Sequence, residues 1–400
     1  MTSSQYTEKV DWLFNQFPVF QKVGVSAYKP TLDNTLSLIQ FFNVPIDQMK
    51  FVHVAGTNGK GTTCSVIASA LTASGKKVGL FTSPHIKDFR ERIRVNGAMI
   101  SEEKVVDYIN RIQNTNFDFS PSFFEMTWVM ALAYFYEQKC DIVVVETGLG
   151  GRLDATNVIT PELSVITNIG LDHVAILGDT REKIAAEKAG IIKQNVPVII
   201  GESDDEISHV FIEAAESKQA PISFMSEHLG ENTFEVNKRL AFEAVDFLLK
   251  GNPDLALIKS LAVKDLYQNT GLYGRNQIYS EQPLVILDAA HNTMGIQRFI
   301  LDIQKRYSDK NVRVLYGASN DKDLFEISNL FPQEWEYYIT EFNSQRTTKI
   351  EAFKAIEKIT QLKVKYFSDG KEAFLQAKKL DYEIDMLIVF GSFFLLEEII

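Results

Sequence analysis

The run Gly56-Thr57-Asn58-Gly59-Lys60-Gly61-Thr62 gathers three glycines, a lysine and two threonine hydroxyls within seven residues. It follows the apolar run Phe51-Val52-His53-Val54-Ala55 and opens into Cys64-Ser65-Val66-Ile67-Ala68-Ser69-Ala70-Leu71, which has helical spacing. A strand, a glycine-rich turn and a helix form a phosphate cradle: glycines let successive backbone N–H groups converge on phosphate oxygens, and the helix N-terminus adds partial positive charge. Lys60 is placed to reach the outer phosphates, and the hydroxyl of Thr62 or Thr63 to face a metal ion. The standard pattern G-x-x-x-x-G-K-[ST] is not met. Val54 stands where its first glycine belongs, and Gly61 separates Lys60 from Thr62. Taken alone, these residues also read as an ordinary tight strand-to-helix turn.

Other reactive side chains follow apolar runs. Glu146 comes after Asp141-Ile142-Val143-Val144-Val145 and leads into Thr147-Gly148-Leu149-Gly150-Gly151-Arg152-Leu153-Asp154-Ala155-Thr156-Asn157. A carboxylate at a strand end beside bound phosphates suits Mg²⁺, which takes one or two carboxylates plus phosphates and waters. The plainer reading is a Glu that caps a helix or pairs with a lysine. Leu163 to Thr167 leads to Asn168-Ile169-Gly170-Leu171-Asp172-His173. His173 reads as a metal ligand or an acid-base group, although a lone histidine is more often structural. Ser83 offers a hydroxyl to a metal or simply starts a Ser-Pro turn. Lys188 lies in a segment over 180–193 that reads as a helix ended by Gly190, and composition makes its lysines solvated surface charges. Asp288 ends the strand-like run Pro283 to Leu287, where it can cap the next helix, bind a ribose hydroxyl, or do both.

The elements that must position these groups alternate throughout. Val- and Ile-rich runs at 77–81, 141–145, 163–167 and 196–200 are separated by helical patterns such as 102–112 and 123–136. This is the pattern of a mostly parallel sheet wrapped by helices. It restarts near residue 283, with strands expected at 283–288, 312–316, 336–339 and 386–390. The expected organisation is a domain over 1–270, a hinge over 271–282 where glycines interrupt the pattern, and a smaller α/β domain over 283–400. Two such domains imply a cleft that closes over ligands and excludes water.

Composition narrows the function classes. The formal charge of -11 argues against nucleic acid as the main partner. Cys64 and Cys140 both lie in apolar stretches, so no disulfide framework is expected and a reducing cytosol fits. Residues 1–8 show no basic region followed by an apolar run, so no signal peptide is expected. No apolar stretch approaches the ~20 residues that span a bilayer. A cytoplasmic protein, with neither nucleic acid nor membrane as partner, is expected.

Together these segments resemble the folylpolyglutamate synthase and dihydrofolate synthase family, within the Mur-type ATP-dependent amide ligases. The matching stretches are Gly56 to Thr62, Ser83-Pro84-His85, Glu91-Arg92-Ile93, Phe124-Glu125, Glu146 to Asn157, Ile169 to Val174 with Leu177-Gly178, Glu187 to Ile191, Gly274-Arg275, Asp288 to Asn292 and Gly391-Ser392. The glycine after Lys60 is the family's own variant of the phosphate loop. The resemblance implies a phosphate-loop-containing, Mur-ligase-like central domain and a smaller Rossmann-like C-terminal domain. It also implies a C–N bond-forming ligase, acting as a monomer on ATP, L-glutamate and dihydropteroate or a folate. ATP would convert the acceptor carboxylate to an acyl phosphate, which the glutamate amine attacks.

Residue by residue, the resemblance assigns ATP contacts to Thr57, Asn58, Gly59, Lys60, Gly61, Thr62, Asn237, Arg275 and Asp288. It assigns one Mg²⁺ to Ser83 and Glu146 and a second to His173. Lys188 would be carbamylated by CO₂, which reverses its reading from composition. Phe124, Glu125, Leu153, Asp154 and Ala155 match the pterin-binding region, and His291 and Ser392 would face the incoming glutamate. Lys60, Lys188, His173 and His291 are thus the expected catalytic set. Tyr28-Lys29-Pro30-Thr31 occupies the region of an N-terminal pterin-contacting loop. Where family members often have Gly, this chain has Ala289. The alternative is a Mur ligase acting on a UDP-linked cell-wall precursor. About 50 residues precede the loop, whereas a UDP-sugar-binding domain would need ~100 by ordinary domain sizes.

Overall fold

Apolar runs without alternation are the mark of parallel strands covered on both faces, and the first sheet is built from them. Its strands are β1 (Phe51–Ala55), β2 (Val78–Phe81), β3 (Ile93–Val95), β4 (Ala98–Met99), β5 (Ile142–Glu146), β6 (Leu163–Ile166), β7 (Val198–Ile200) and β8 (Ile222–Phe224). Their order is β4-β3-β2-β5-β1-β6-β7-β8. Every residue of β1, β2, β5, β6 and β7 is buried. β1 pairs in parallel with β5 on one side and β6 on the other. β3 and β4 add an antiparallel edge. The computed structural model from which this is read describes residues 2–17, 31–115, 117–226, 232–379 and 386–400.

The chain divides into two compact units: Met1–Glu231 with Glu235–Leu272, and Asn232–Phe234 with Tyr273–Ile400. In the first, the chain leaving β1 passes to β2 on one side, whereas the chain leaving β6 passes to β7 on the other. Ligands of open α/β sheets bind where the order reverses in this way. The helix Lys60–Ala73 is buried over residues 61–71, as expected of a helix apolar on all faces. Ser69 on it donates to the Ala262 carbonyl at 2.8 Å. The helix Phe123–Glu137 is similarly buried, with Trp128 packed 4.9 Å from Phe81.

The second unit carries β9 (Gln277–Glu281), β10 (Leu284–Leu287), β11 (Val312–Tyr316), β12 (Glu336–Thr340), β13 (Lys363–Phe367) and β14 (Met386–Phe390), ordered β13-β12-β11-β14-β10-β9. All pairs are parallel except β9 with β10. Tyr316, Phe331 and Phe390 form its aromatic centre, with rings 5.1 to 6.3 Å apart. β9 falls inside the stretch 271–282 expected as a hinge. Its residues, none of them buried and Ile278 and Tyr279 exposed, show no apolar core pattern, because its pairing lies along one edge only. Among the described residues no helix is long and apolar enough to cross a membrane.

Ile166 is fully buried in β6 among Ala55, Ile184 and Val198. Ile166→Ala leaves a cavity and should cost roughly 2–5 kcal/mol. A urea titration should show a lower unfolding midpoint at unchanged slope.

Candidate active site

The phosphate loop is held by the polar residues that end β6. Thr57 N–H donates to the Asn168 carbonyl at 2.8 Å, and Asn58 N–H donates to Asn168 Oδ1 at 3.0 Å. The Asn58 carbonyl accepts from Thr167 Oγ1 at 2.6 Å and Asn168 Nδ2 at 2.9 Å. Thr57 Oγ1 accepts from Gly170 N–H at 3.0 Å. The helix begins at Lys60 with Gly59 as its N-cap in left-handed geometry. The amides of Lys60, Gly61 and Thr62 therefore fall in a first turn that α-helix geometry leaves without i−4 carbonyls. Lys60 Nζ reaches back to the carbonyls of Gly56 and Thr57, at 3.0 and 3.2 Å. Thr167 and Asn168 were not singled out from sequence. Their only signal there is a polar pair directly after an apolar strand.

Asn237, on the helix Thr233–Leu248, packs against this loop. A Cβ on Gly59, whose φ is 82°, would stand 2.2 Å from Asn237 Oδ1. Glu146 ends β5 with 3% exposure, and a Cβ on Gly61 would lie 3.4 Å from its Oε2. Ser83 N–H donates to the same oxygen at 3.0 Å. Loop, carboxylate and serine thus adjoin. A hydroxyl and a carboxylate are the hard oxygen donors that Mg²⁺ selects. Among the described residues no group of three or more His, Cys, Asp or Glu gathers to hold a metal. His173 sits in left-handed backbone geometry, with φ 52°. Its N–H donates to Asp172 Oδ1 at 3.0 Å, and Nε2 lies 3.9 Å from Asp172 Oδ2.

Lys188 corrects the reading from composition. It is 4% exposed and its Nζ donates to the Gly56 carbonyl at 2.9 Å. On the same helix, Lys183 is exposed and pairs with Asp179. Helical periodicity turns position 188 inward, which a count of charges does not reveal. Burial, aided by the nearby Lys60 charge, pushes the Lys188 ammonium down to about 7.

The loop after Glu146 packs tightly. A Cβ on Gly148 would meet Phe124 Cζ at 2.5 Å, and one on Gly151 would meet the carbonyls of Glu187 and Lys188 at 2.8 and 2.9 Å. The two acids expected in the pterin region have local partners. Glu125 completes a capping box: Ser122 N–H donates to its Oε2 at 2.6 Å and its own N–H donates to Ser122 Oγ at 3.2 Å. The S-x-x-E spacing at 122–125 is the sequence signature of that cap. Asp154 is buried and caps the short helix Ala155–Val158, accepting from Leu149 N–H at 2.7 Å and Thr156 N–H at 3.0 Å. Burial raises its carboxyl above the ordinary value. Leu153 is half-buried and Ala155 buried on either side. Tyr28, Lys29 and Pro30 lie outside the described residues.

In the second unit, three expected residues, Arg275, His291 and Ser392, meet at the start of the helix Phe393–Ile399. The Arg275 guanidinium lies 5.0 Å from the Phe393 ring centroid and the His291 ring 5.9 Å. Ser392 caps the helix, its Oγ accepting from Phe394 N–H at 3.2 Å. The Asp288 carboxylate accepts from Asn276 N–H at 2.6 Å and Ala290 N–H at 2.7 Å. Burial raises its carboxyl and the Arg275 charge opposes the shift. The expectation that Asp288 caps the next helix is corrected. That helix, Thr293–Arg306, begins further on, and Asn292 caps it by accepting from Gly295 N–H at 2.9 Å.

A family model for the Mur ligase middle domain matches residues 54–279, and one for the Mur ligase, glutamate ligase domain matches 274–393. The dihydrofolate synthase/folylpolyglutamate synthase of Bacillus subtilis is 32% identical over 98% of each chain. The chain belongs to the dihydrofolate synthase/folylpolyglutamate synthase family. Members of this family are ligases that form C–N bonds, and the two α/β units have the Mur-ligase-like architecture. Among solved structures, Escherichia coli FolC in complex with DHPP and ADP is 27% identical, with a TM-score of 0.82 over 99% of this chain and 96% of that one. The bifunctional folylpolyglutamate synthase/dihydrofolate synthase of Yersinia pestis, complexed with AMPPNP and Mn ion, is 28% identical, with a TM-score of 0.82 over 99% and 97%.

Two outcomes follow from this geometry. Gly59→Ala forces a strained φ and drives a methyl into Asn237. Binding of a fluorescent ATP analogue should weaken by about tenfold or more, a loss of ~1.4 kcal/mol. Lys188 also makes stability depend on pH. Above about 7 the native amine has released a proton, which the unfolded chain keeps until about 10.4. The wild type therefore gains stability as pH rises through that window. Urea titrations in CO₂-free buffer should show the gain, up to a few kcal/mol, and Lys188→Met should lose it.

Proposed function

We propose that this chain is an ATP-dependent ligase that joins the amine of L-glutamate to a carboxylate on a pteridine substrate. That carboxylate is the one on dihydropteroate, the terminal γ-carboxylate of a (tetrahydro)folate, or both. The observation that carries the reading is the buried Lys188 against the Gly56 carbonyl of a phosphate loop that also adjoins Glu146. A nucleotide switch has no need of that lysine. Relatives that match nearly the whole chain join glutamate to folates by name, which favours a pteridine over a cell-wall precursor.

A bare carboxylate resists attack by an amine. In the proposed reaction its oxygen attacks the γ-phosphorus of ATP, ADP leaves, and an acyl phosphate forms. The glutamate amine adds to the acyl carbon, the tetrahedral intermediate expels phosphate, and the amine loses a proton. The loop amides from Gly59 to Thr62 and Lys60 hold the phosphates and offset their charge, while Thr57 and Asn58 keep the loop in shape. Most of the acceleration then comes from positioning and preorganised charge. Ser83 and Glu146 would hold one Mg²⁺ and His173 a second, supplying charge neutralisation at the phosphates. We assign nucleotide contacts to Asn237, Arg275 and Asp288, and contact with glutamate to His291 and Ser392. Phe124, with the turn at Leu153-Asp154-Ala155, would bind the pteridine, Glu125 and Asp154 acting by holding backbone. Two cysteines without a disulfide fit a cytoplasmic setting.

For Lys188 we propose carbamylation: the neutral amine adds to CO₂, forming an N–C bond and releasing one proton. The product is an anion in place of a cation. The low ammonium pKa supports this, because the amine is substantially unprotonated near neutral pH.

The test is ADP release by purified protein with ATP, Mg²⁺, L-glutamate and either dihydropteroate or tetrahydrofolate. Turnover should require glutamate and at least one pteridine; ATP hydrolysis indifferent to all three would overturn the reading. ¹³C-bicarbonate should give a carbamate resonance in the wild type that Lys188→Met lacks. Lys188→Ala should lose about 100-fold or more in kcat, the scale of a lost electrostatic contact in a site, with partial recovery in short-chain carboxylic acids.

A further inference from the structure

His53 lies in the middle of β1 with no solvent exposure. A polar ring there would be costly without a partner. Its Nε2 stands 2.8 Å from Thr156 Oγ1. The Thr156 hydroxyl donates its single proton to Asp154 Oδ1 at 2.5 Å, so towards His53 it can only accept. Nε2 therefore carries the ring proton. Nδ1 is buried with no hydrogen-bond partner among the described residues. Burial, and to a lesser degree Lys193, pushes the imidazolium down to about 3, so the ring is neutral and holds one defined tautomer.

The chain of bonds continues from Asp154, whose Oδ2 accepts from Leu149 N–H at 2.7 Å. It runs from the strand that feeds the phosphate loop to the backbone of the loop 147–155. That loop presses Gly148 on Phe124 and Gly151 on the carbonyls beside Lys188. From the other side Asn157 Nδ2 donates to the carbonyls of Arg152 and Gly190, each at 3.0 Å. With Asp154 committed to Leu149 and Thr156, the position of the turn depends on what holds Thr156, and His53 is the group that does.

We propose that His53 is a positioning residue for the pteridine substrate, fixing the loop 147–155 through Thr156 and Asp154. This rests on the reading of that loop as part of the pteridine site. His53 does not touch the nucleotide loop side chains in this chain of bonds, so its effect should fall on the pteridine and not on ATP.

The test compares His53→Leu, which removes the donor, with His53→Gln, whose amide nitrogen can replace Nε2–H. His53→Leu should raise KM for the pteridine acceptor about tenfold, a loss of one such hydrogen bond, while KM for ATP stays within about twofold. His53→Gln should recover most of it. Thr156→Val serves as a second variant, should His53→Leu not fold, and should shift the same KM. Unchanged pteridine KM, equal shifts in both KM values, or a Gln variant no better than Leu would overturn the proposal. Amide exchange at Leu149 and Thr156 needs no substrate: it should quicken in His53→Leu and return towards wild type in His53→Gln. If the wild type shows no pteridine-dependent turnover, the functional reading fails. The exchange then decides the positioning role alone, and unchanged exchange rejects it.

Discussion

Val54 lies opposite Glu146, and Ala55 lies opposite Ile166, in the parallel pairing of β1 with its two neighbours. These register pairs bring three chain segments out of the sheet at one level. Gly56 to Thr62 leaves β1, Glu146 ends β5, and Thr167-Asn168 leaves β6. A slip of one residue would turn Glu146 into the apolar layer and move its carboxylate away from the loop. The register is in turn held by Val, Ile and Leu packed on both faces, so the reactive groups depend on an apolar core that does no chemistry.

On that base, close approach does the remaining work. Gly59 admits Asn237 and Gly61 admits Glu146, while Gly148 and Gly151 admit Phe124 and the backbone beside Lys188. A methyl would clash at Gly59, Gly148 and Gly151, and on Gly61 it would rest in ordinary contact with Glu146. The polar groups enclosed this way are satisfied in chains: Asn168 with Asn58, Lys188 with Gly56, and His53 with Thr156 and Asp154. Enclosed charge is sensitive to its surroundings. Hence a lysine that would be fully protonated in water loses its proton near neutrality once it is placed here.

Much of this was legible beforehand, and the reasons are local. Apolar runs marked β1, β2, β5, β6, β7, β10, β11, β12 and β14 to within a residue or two, whereas β3, β4, β8 and β13 were not marked, and glycines with Lys60 marked the phosphate loop. Glu146 was legible because it directly follows a run of valines. What was hidden depended on partners distant in sequence or on a competing local cap. Lys188 looks like its exposed neighbour Lys183 until the helix packs. Asp288 resembled a cap, but Asn292 stands closer to the helix start. β9 was concealed because an edge strand with one paired side needs no apolar pattern. Glu125 satisfies a rule readable in the chain, S-x-x-E, although the family likeness drew it towards the substrate. His53 showed only as a polar interruption of an apolar run, and its bond to Thr156 spans 103 residues.

In the proposed reaction the phosphate loop serves to activate an acceptor carboxylate, and one measurement addresses this directly. Dihydropteroate or a folate with its acceptor carboxylate labelled by ¹⁸O is turned over with ATP and L-glutamate, and the released phosphate is analysed by mass. Transfer through an acyl phosphate places one labelled oxygen in each phosphate and leaves the other in the new amide. Phosphate released without label would show that the carboxylate never bonded to phosphorus, and would contradict the account.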